Sequence, residues 1–202
     1  MSLEDRPPFA PSPASRPARP PALQGRPWVS WGITAACIAV YLFEAWLSGD
    51  INHPDNLGAL NAPLVRSGQW WRMATCIVEH GNLVHIALNL SVVLQLGTTT
   101  ERLLGRANFA TISLITAFGS SALALLLSSP ESSTVGASGM IVGWAGALMP
   151  IATDQFRRSL RTWVLQVALL SLIPHISWQG HLGGFVAGLI CGYYFRLTAS
   201  RA

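Results

Sequence analysis

The sequence predicts an all-α, polytopic membrane protein, a bundle of six transmembrane helices. Three observations predict it. Half of the residues are hydrophobic and only 11% are charged, against about 25% in soluble domains. The apolar residues fall into runs long enough to enter or cross a bilayer. The thirteen basic residues are all Arg, and they gather at alternate ends of those runs.

Residues 1–27 hold eight prolines among Ala, Ser and Arg. Such a segment has little to bury and reads as a disordered Pro/Arg-rich tail. No small-residue cleavage site follows the first apolar run, so that run is expected to stay as an anchor. Trp28 to Leu47 is the first span. Its twenty residues rise about 30 Å, the thickness of the hydrocarbon core, and Trp28, Trp31 and Trp46 suit the two interfaces. Ser48 to Glu79 is a long connection carrying Trp70, Trp71 and Arg72. A loop of this length in a compact domain is usually functional or packed on itself, and it is expected to lie partly in the outer interface.

The second span runs from His80 to Leu104 and carries His85, Asn89 and Gln95 among apolar residues. The third is Asn108 to Leu127, followed by a polar loop, Ser128 to Val135. The fourth helix, Ser138 to Thr153, and the fifth, Leu160 to Ile173, have apolar parts shorter than a full crossing. Pro174 to Gly180 is the last outer loop, and His181 to Leu197 is the sixth helix. Residues 198–202 form a short tail.

With residues 1–27 in the cytoplasm and six crossings, eleven arginines fall on the inner side and only Arg66 and Arg72 on the outer side. This is the positive-inside asymmetry. It puts both termini in the cytoplasm and accounts for the net charge of +4 without a nucleic-acid partner. Cys37, Cys76 and Cys191 lie in or beside apolar segments without metal-type spacing and read as packing residues. No metal or cofactor is expected.

The polar residues inside the spans share a depth. Ser138 precedes the inner-side Asp154 by sixteen residues, about 24 Å of helix. His181 precedes Arg196 by fifteen, about 22 Å. His85 precedes Glu101 by sixteen, again about 24 Å, with Asn89 one turn lower. Buried polar groups in a membrane face the bundle interior or a water-filled cavity. The helices of Ser138 and His181 also carry small-residue faces, Gly139, Gly143 and Gly146 on one, Gly184, Gly188 and Gly192 on the other. Such faces let backbones approach closely.

Taken alone, the Gly136-Ala137-Ser138-Gly139 stretch is a helix-packing or capping sequence. A lone His85 or His181 is a packed or proton-handling residue, and Asn89 is interhelical glue. Together at one depth they support different chemistry. Ser138 is the candidate nucleophile and His181 its general base. The unpaired amides at the start of the Ser138 helix, with His85 and Asn89 at i and i+4, are candidate oxyanion donors. With no carboxylate at this depth, the expectation is a dyad.

With these residues placed, the chain resembles the rhomboid family of intramembrane serine proteases over nearly all of Trp28 to Leu197. The matching pieces are Trp71-Arg72, His80 through Asn89, Glu101 with Gly105, Gly136 to Gly139, and His181-Leu-Gly-Gly-Phe-Val-Ala-Gly188. The resemblance implies a six-helix rhomboid-like core, a Ser138–His181 dyad and an oxyanion hole from His85, Asn89 and the Ser138 amide. It implies support from Gly136, Gly139, Gly184, Gly188, Trp71 and Arg72. It further implies cleavage of transmembrane segments of other membrane proteins near the outer face of a bilayer, in a bacterial plasma membrane. Water would reach the dyad through a cavity, with the loop around Trp178 as part of its lid.

Two positions depart from the family pattern. Val142 stands where an aromatic often stacks on the base, which leaves open what holds the His181 ring. Glu79 stands where an apolar residue is usual; it either faces water or tunes basic substrates. An inactive rhomboid-like helix binder is the alternative, and the presence of both Ser138 and His181 argues against it. A transporter with a proton relay through His85, Asn89 and His181 would require inverted repeats, and the six segments show none.

Overall fold

The computed structural model describes residues 25–174 and 176–199. Residues 200–202 and most of the 1–27 tail therefore lie outside the described residues, while Thr198 and Ala199 belong to the last helix rather than to a tail. Helix α1 spans Trp28–Ser48. The long connection folds on itself as strand β1 (Leu60–Asn61), helix α2 (Ala62–Arg66) and helix α3 (Arg72–Thr75). Helix α4 (Leu83–Val92) continues through a π turn (Val93–Gly97) into α5 (Thr98–Leu104). Then follow α6 (Arg106–Leu127), β2 (Ser133–Thr134), α7 (Ser138–Leu148), α8 (Asp154–Leu170) and α9 (Trp178–Ala199).

Among the described residues three helical stretches are long and apolar enough to cross a membrane, Trp28–Ser48, Leu83–Leu104 and Arg106–Leu127. The shorter apolar α7 is enclosed by its neighbours, every residue from Gly139 to Leu148 being buried. Large apolar side chains such as Val84, Leu88, Leu114, Leu165, Ile190 and Tyr194 point outward, whereas Ser30, Thr100, Ser113, Thr116 and Ser121 are buried. Apolar residues outside and small polar ones inside are what a lipid solvent selects.

Several boundaries differ from the sequence expectation. Helix α7 ends at Leu148 rather than Thr153. Arg157 closes it there, donating from Nε to the Met149 carbonyl at 2.9 Å and from Nη2 to the Ala152 carbonyl at 2.6 Å. Helix α8 starts at Asp154, six residues earlier than expected, because the Thr153 hydroxyl caps it by accepting from the Phe156 amide. Trp178 belongs to the first turn of α9 rather than to a loop.

Buried carboxyl groups tie both ends of α1 to the rest of the fold. Glu101 is 2% exposed, so it is not an interface charge. Its oxygens accept the Val29 amide at 3.0 Å and the Ser30 amide and hydroxyl at 2.8 Å each. It therefore caps the N-terminus of α1 from another helix, where orphan amides and the positive dipole end favour an anion. The π turn lies between Asn89 and Glu101, beside Trp144; a Cβ on Gly97 would meet the Trp144 ring at 2.9 Å.

Glu79 is also buried, which corrects the reading of it as water-facing. It accepts from the Gly58 amide, while nearby Glu44 accepts from the Leu57 amide at 2.8 Å. The long connection is thus pinned by backbone amides to carboxyl groups at the end of α1 and the entry to α4. It is also tied to the loop before α7, through the β1–β2 pairing of Leu60 with Thr134 and Asn61 with Ser133.

Two outcomes follow from this packing. A Cβ at Gly188 would land on the Gly143 carbonyl of α7. Gly188→Val should therefore lower stability by roughly 1–3 kcal/mol or more, as overpacking against backbone does, seen as a lower thermal midpoint in detergent. Burial, then the Glu44 charge, pushes the Glu79 carboxyl up to about 8. A raised acid favours the folded chain below its ordinary value of 4.5 and loses that contribution as pH climbs through about 8. The thermal midpoint should fall across that window, and Glu79→Gln, which resembles the protonated form, should flatten the fall.

Candidate active site

The site forms where α7 and α9 run backbone to backbone. A Cβ at Gly184 would strike the Gly139 carbonyl, and one at Gly192 the Ala147 carbonyl. A Cβ at Gly143 would lie 2.8 Å from the Gly184 carbonyl. Only residues without side chains allow this approach. Helix α6 completes the packing with Ser120 against Gly139, Thr116 against Gly143 and Gly119 against Gly183 and Ala187.

Ser138 is the first residue of α7 and His181 stands in the first turn of α9, so the helices present both near their N-terminal ends. The Ser138 Oγ lies 2.8 Å from the His181 Nε2. The other ring nitrogen, Nδ1, lies 2.6 Å from the Oγ of Ser171, just beyond the end of α8. Among the described residues no aromatic ring stacks on the His181 imidazole. Val142 is buried in α7.

His85 and Asn89 come from α4. Asn82 caps that helix by accepting the His85 amide at 2.8 Å. The His85 ring lies against Gly136, two residues before Ser138; a Cβ there would be 2.7 Å from both Cε1 and Nε2. Gly136 also has φ +115° and donates its amide to the Cys76 carbonyl at 2.8 Å. Asn89 is buried and donates Nδ2 to the His85 carbonyl at 2.9 Å, which leaves its second N–H for another acceptor. As the first residues of a helix, Ser138, Gly139 and Met140 have amides with no acceptor inside α7. His80 is fully buried beside His85, with ring centroids 5.1 Å apart.

Trp71 and Arg72 are not brought to this cluster. Arg72 braces the long connection, donating to the Ala59 carbonyl at 2.8 Å and to Gln69 at 2.7 Å. Trp71 is exposed. A cleft of about 380 Å³ between the α4–α5 stretch and α8, lined by Gln95, Thr99, Phe156 and Trp163 among others, does not include the Ser138–His181 pair. Ser171 was missed in the sequence, yet the depth ruler reaches it. It follows Asp154 by seventeen residues, about 26 Å of helix, the level of Ser138.

Fold and site together define a polytopic helical membrane protein that holds a serine–histidine pair inside its bundle. A family model described as the Rhomboid domain matches residues 67–198, and the chain belongs to the rhomboid family. It is 31% identical over 189 residues to Rhomboid protease GluP of Bacillus subtilis (strain 168), covering 88% of this chain and 37% of that protein. It is 30% identical over 151 residues to RHOMBOID-like protein 5 of Arabidopsis thaliana, covering 70% of this chain and 49% of the relative. Rhomboid-like protease 3 of Toxoplasma gondii is 28% identical over 189 residues, covering 83% and 72%. The chain thus spans between about a third and a half of the first two relatives.

The contact between His85 and Gly136 can be tested. Gly136→Ala adds both a strained φ, worth about 1–3 kcal/mol, and a clash with the imidazole. Gly68→Ala shares the positive φ, at +106°, but opens onto empty space. Both variants should lose stability, whereas only Gly136→Ala should move the His85 ring signals in an NMR spectrum.

Proposed function

We propose that this chain is an intramembrane serine endopeptidase that cleaves transmembrane segments of other membrane proteins near the outer face of the bilayer. One observation carries the reading, the 2.8 Å approach of the Ser138 Oγ to the His181 Nε2 inside an apolar bundle. Family membership supports the same class.

In this mechanism Ser138 attacks the scissile carbonyl carbon as its hydroxyl proton passes to His181 Nε2. The tetrahedral oxyanion is stabilised by the Ser138 amide, the free N–H of Asn89 and the His85 ring. The C–N bond breaks, the leaving amine takes the proton from Nε2, and an acyl-serine remains. Water then attacks the ester, giving its proton to Nε2. Nε2 returns that proton to the Ser138 oxygen as the acid leaves. No metal or cofactor enters the balance. The substrate backbone must expose a carbonyl that a helix would otherwise keep hydrogen-bonded, so small or helix-breaking residues at the cleavage site fit this chemistry. Gly136, Gly139, Gly184 and Gly188 act by permitting the close approach, and Arg72 by holding the long connection. The arginine asymmetry supports both termini on the cytoplasmic side of the membrane.

The test is covalent labelling of the purified chain in detergent with a fluorophosphonate probe. The wild type should label, while Ser138→Ala should not and His181→Ala should be slower by orders of magnitude. Both variants should keep the wild-type fold by circular dichroism. Equal labelling of Ser138→Ala would overturn the mechanism, and no labelling of folded wild type would favour a helix-binding member without peptidase activity.

A further inference from the structure

We propose that Ser171 is a positioning residue that fixes the His181 tautomer and so makes Nε2 the base. The proposal rests on the Ser138–His181 reading above, and its argument is a count of protons. A serine hydroxyl has one hydrogen to donate. The Ser171 Oγ lies 2.7 Å from the Val167 carbonyl, which can only accept, so the hydrogen goes there. Toward His181, at 2.6 Å, the same oxygen must then accept. The donor in that contact is Nδ1–H.

A neutral imidazole carries one N–H. With the hydrogen on Nδ1, Nε2 presents its lone pair to the Ser138 hydroxyl at 2.8 Å. The chain of donors runs one way, from Ser138 Oγ–H to Nε2, from Nδ1–H to the Ser171 Oγ, and from Ser171 O–H to the Val167 carbonyl. In the opposite tautomer Nε2–H would donate to the Ser138 oxygen, leaving no lone pair there to take a proton, and a bare Nδ1 would face the Ser171 oxygen with no hydrogen between them. After proton transfer the imidazolium still has an acceptor for Nδ1–H, so the same oxygen serves both states.

The local structure commits Ser171 to this role. It sits at the C-cap of α8, where its amide also bonds to the Val167 carbonyl at 2.9 Å. It is 5% exposed, so water does not compete freely for its hydroxyl. Ten residues of chain then turn back through Pro174 to His181, so the bond closes the connection between α8 and α9. It holds the ring where Val142 cannot stack.

The experiment uses the full chain in detergent and has two readouts. The first is nitrogen-15 NMR of histidine-labelled protein, with His181 assigned from His181→Asn. The wild type should show protonated Nδ1 and unprotonated Nε2 on His181. Ser171→Ala should show a mixture of tautomers, and Ser171→Thr, which keeps the hydroxyl, should restore the wild-type pattern. The second is the kinetics of fluorophosphonate labelling. In Ser171→Ala the limiting labelling rate should fall tenfold or more while half-saturation by the probe stays unchanged, and Ser171→Thr should recover most of it.

Protonated Nε2 in the resting wild type would overturn the proposal, as would wild-type labelling kinetics in Ser171→Ala. Failure of the wild type to label at all would count against the peptidase reading, while the tautomer of its His181 would still decide the role of Ser171. If Ser171→Ala does not fold, the wild-type spectrum and Ser171→Thr decide it.

Discussion

Gly184 and Gly188 present no side chain to α7, and Gly139 and Gly143 present none to α9, so two backbones meet where most helices keep side chains between them. Everything at the site hangs on that contact. A Ser side chain has a single rotatable bond before its hydroxyl, and an imidazole has two, so neither can reach across an ordinary interhelical gap to form a 2.8 Å bond. In lipid there is little hydrophobic drive to bring helices together, and close van der Waals packing takes its place. The same glycines therefore stabilise the bundle and bring Ser138 and His181 within reach of each other.

The second constraint comes from α1 and the α4–α5 stretch, which are locked to each other by a buried carboxylate. Glu101 takes the orphan amides of α1 and the Ser30 hydroxyl, a charge-assisted set that would be costly to leave unmade in lipid. Between this anchor and Asn89 the helix passes through a π turn at Trp144. A π turn adds one residue to one turn and so resets which face points where. His85 and Asn89 are thereby aimed at the Gly136 loop from an end that Asn82 caps and another that Glu101 holds.

Much of the architecture was legible in the sequence because lipid imposes simple rules. Apolar run length located the helices, and counting residues along them predicted a common level for Ser138, His181 and His85, which the structure brings near one another through the Ser138–His181 contact and the packing of His85 on Gly136. The less legible features depend on what a residue meets rather than what it is. Glu101 at a helix end looks like an interface charge, and only the position of α1 turns it into a cap. Glu79 looks exposed until the amides of Leu57 and Gly58 fold over the C-terminal end of α1. The π turn has no residue signature, although its Gly97 leaves room for the Trp144 ring. Ser171 stood at the right depth, but a serine at a helix end before Pro174 has an ordinary local explanation as a terminating residue.

The choice of a hydroxyl rather than a carboxylate behind His181 follows from the surroundings. An ionised Asp at that point would have to be stripped of water beside an apolar bundle, a penalty of several kcal/mol that one imidazole N–H does not fully offset. A serine is neutral and asks only that its own hydrogen find an acceptor, which the Val167 carbonyl supplies. The tautomer is then set by the direction of hydrogen bonds instead of by charge. What is given up is the extra stabilisation that an anion would lend to the imidazolium as it forms. Such a site holds its base in the correct orientation at rest and stabilises the charged intermediate less. That combination fits the proposed peptidase reading, in which a substrate must unwind before its carbonyl can be reached.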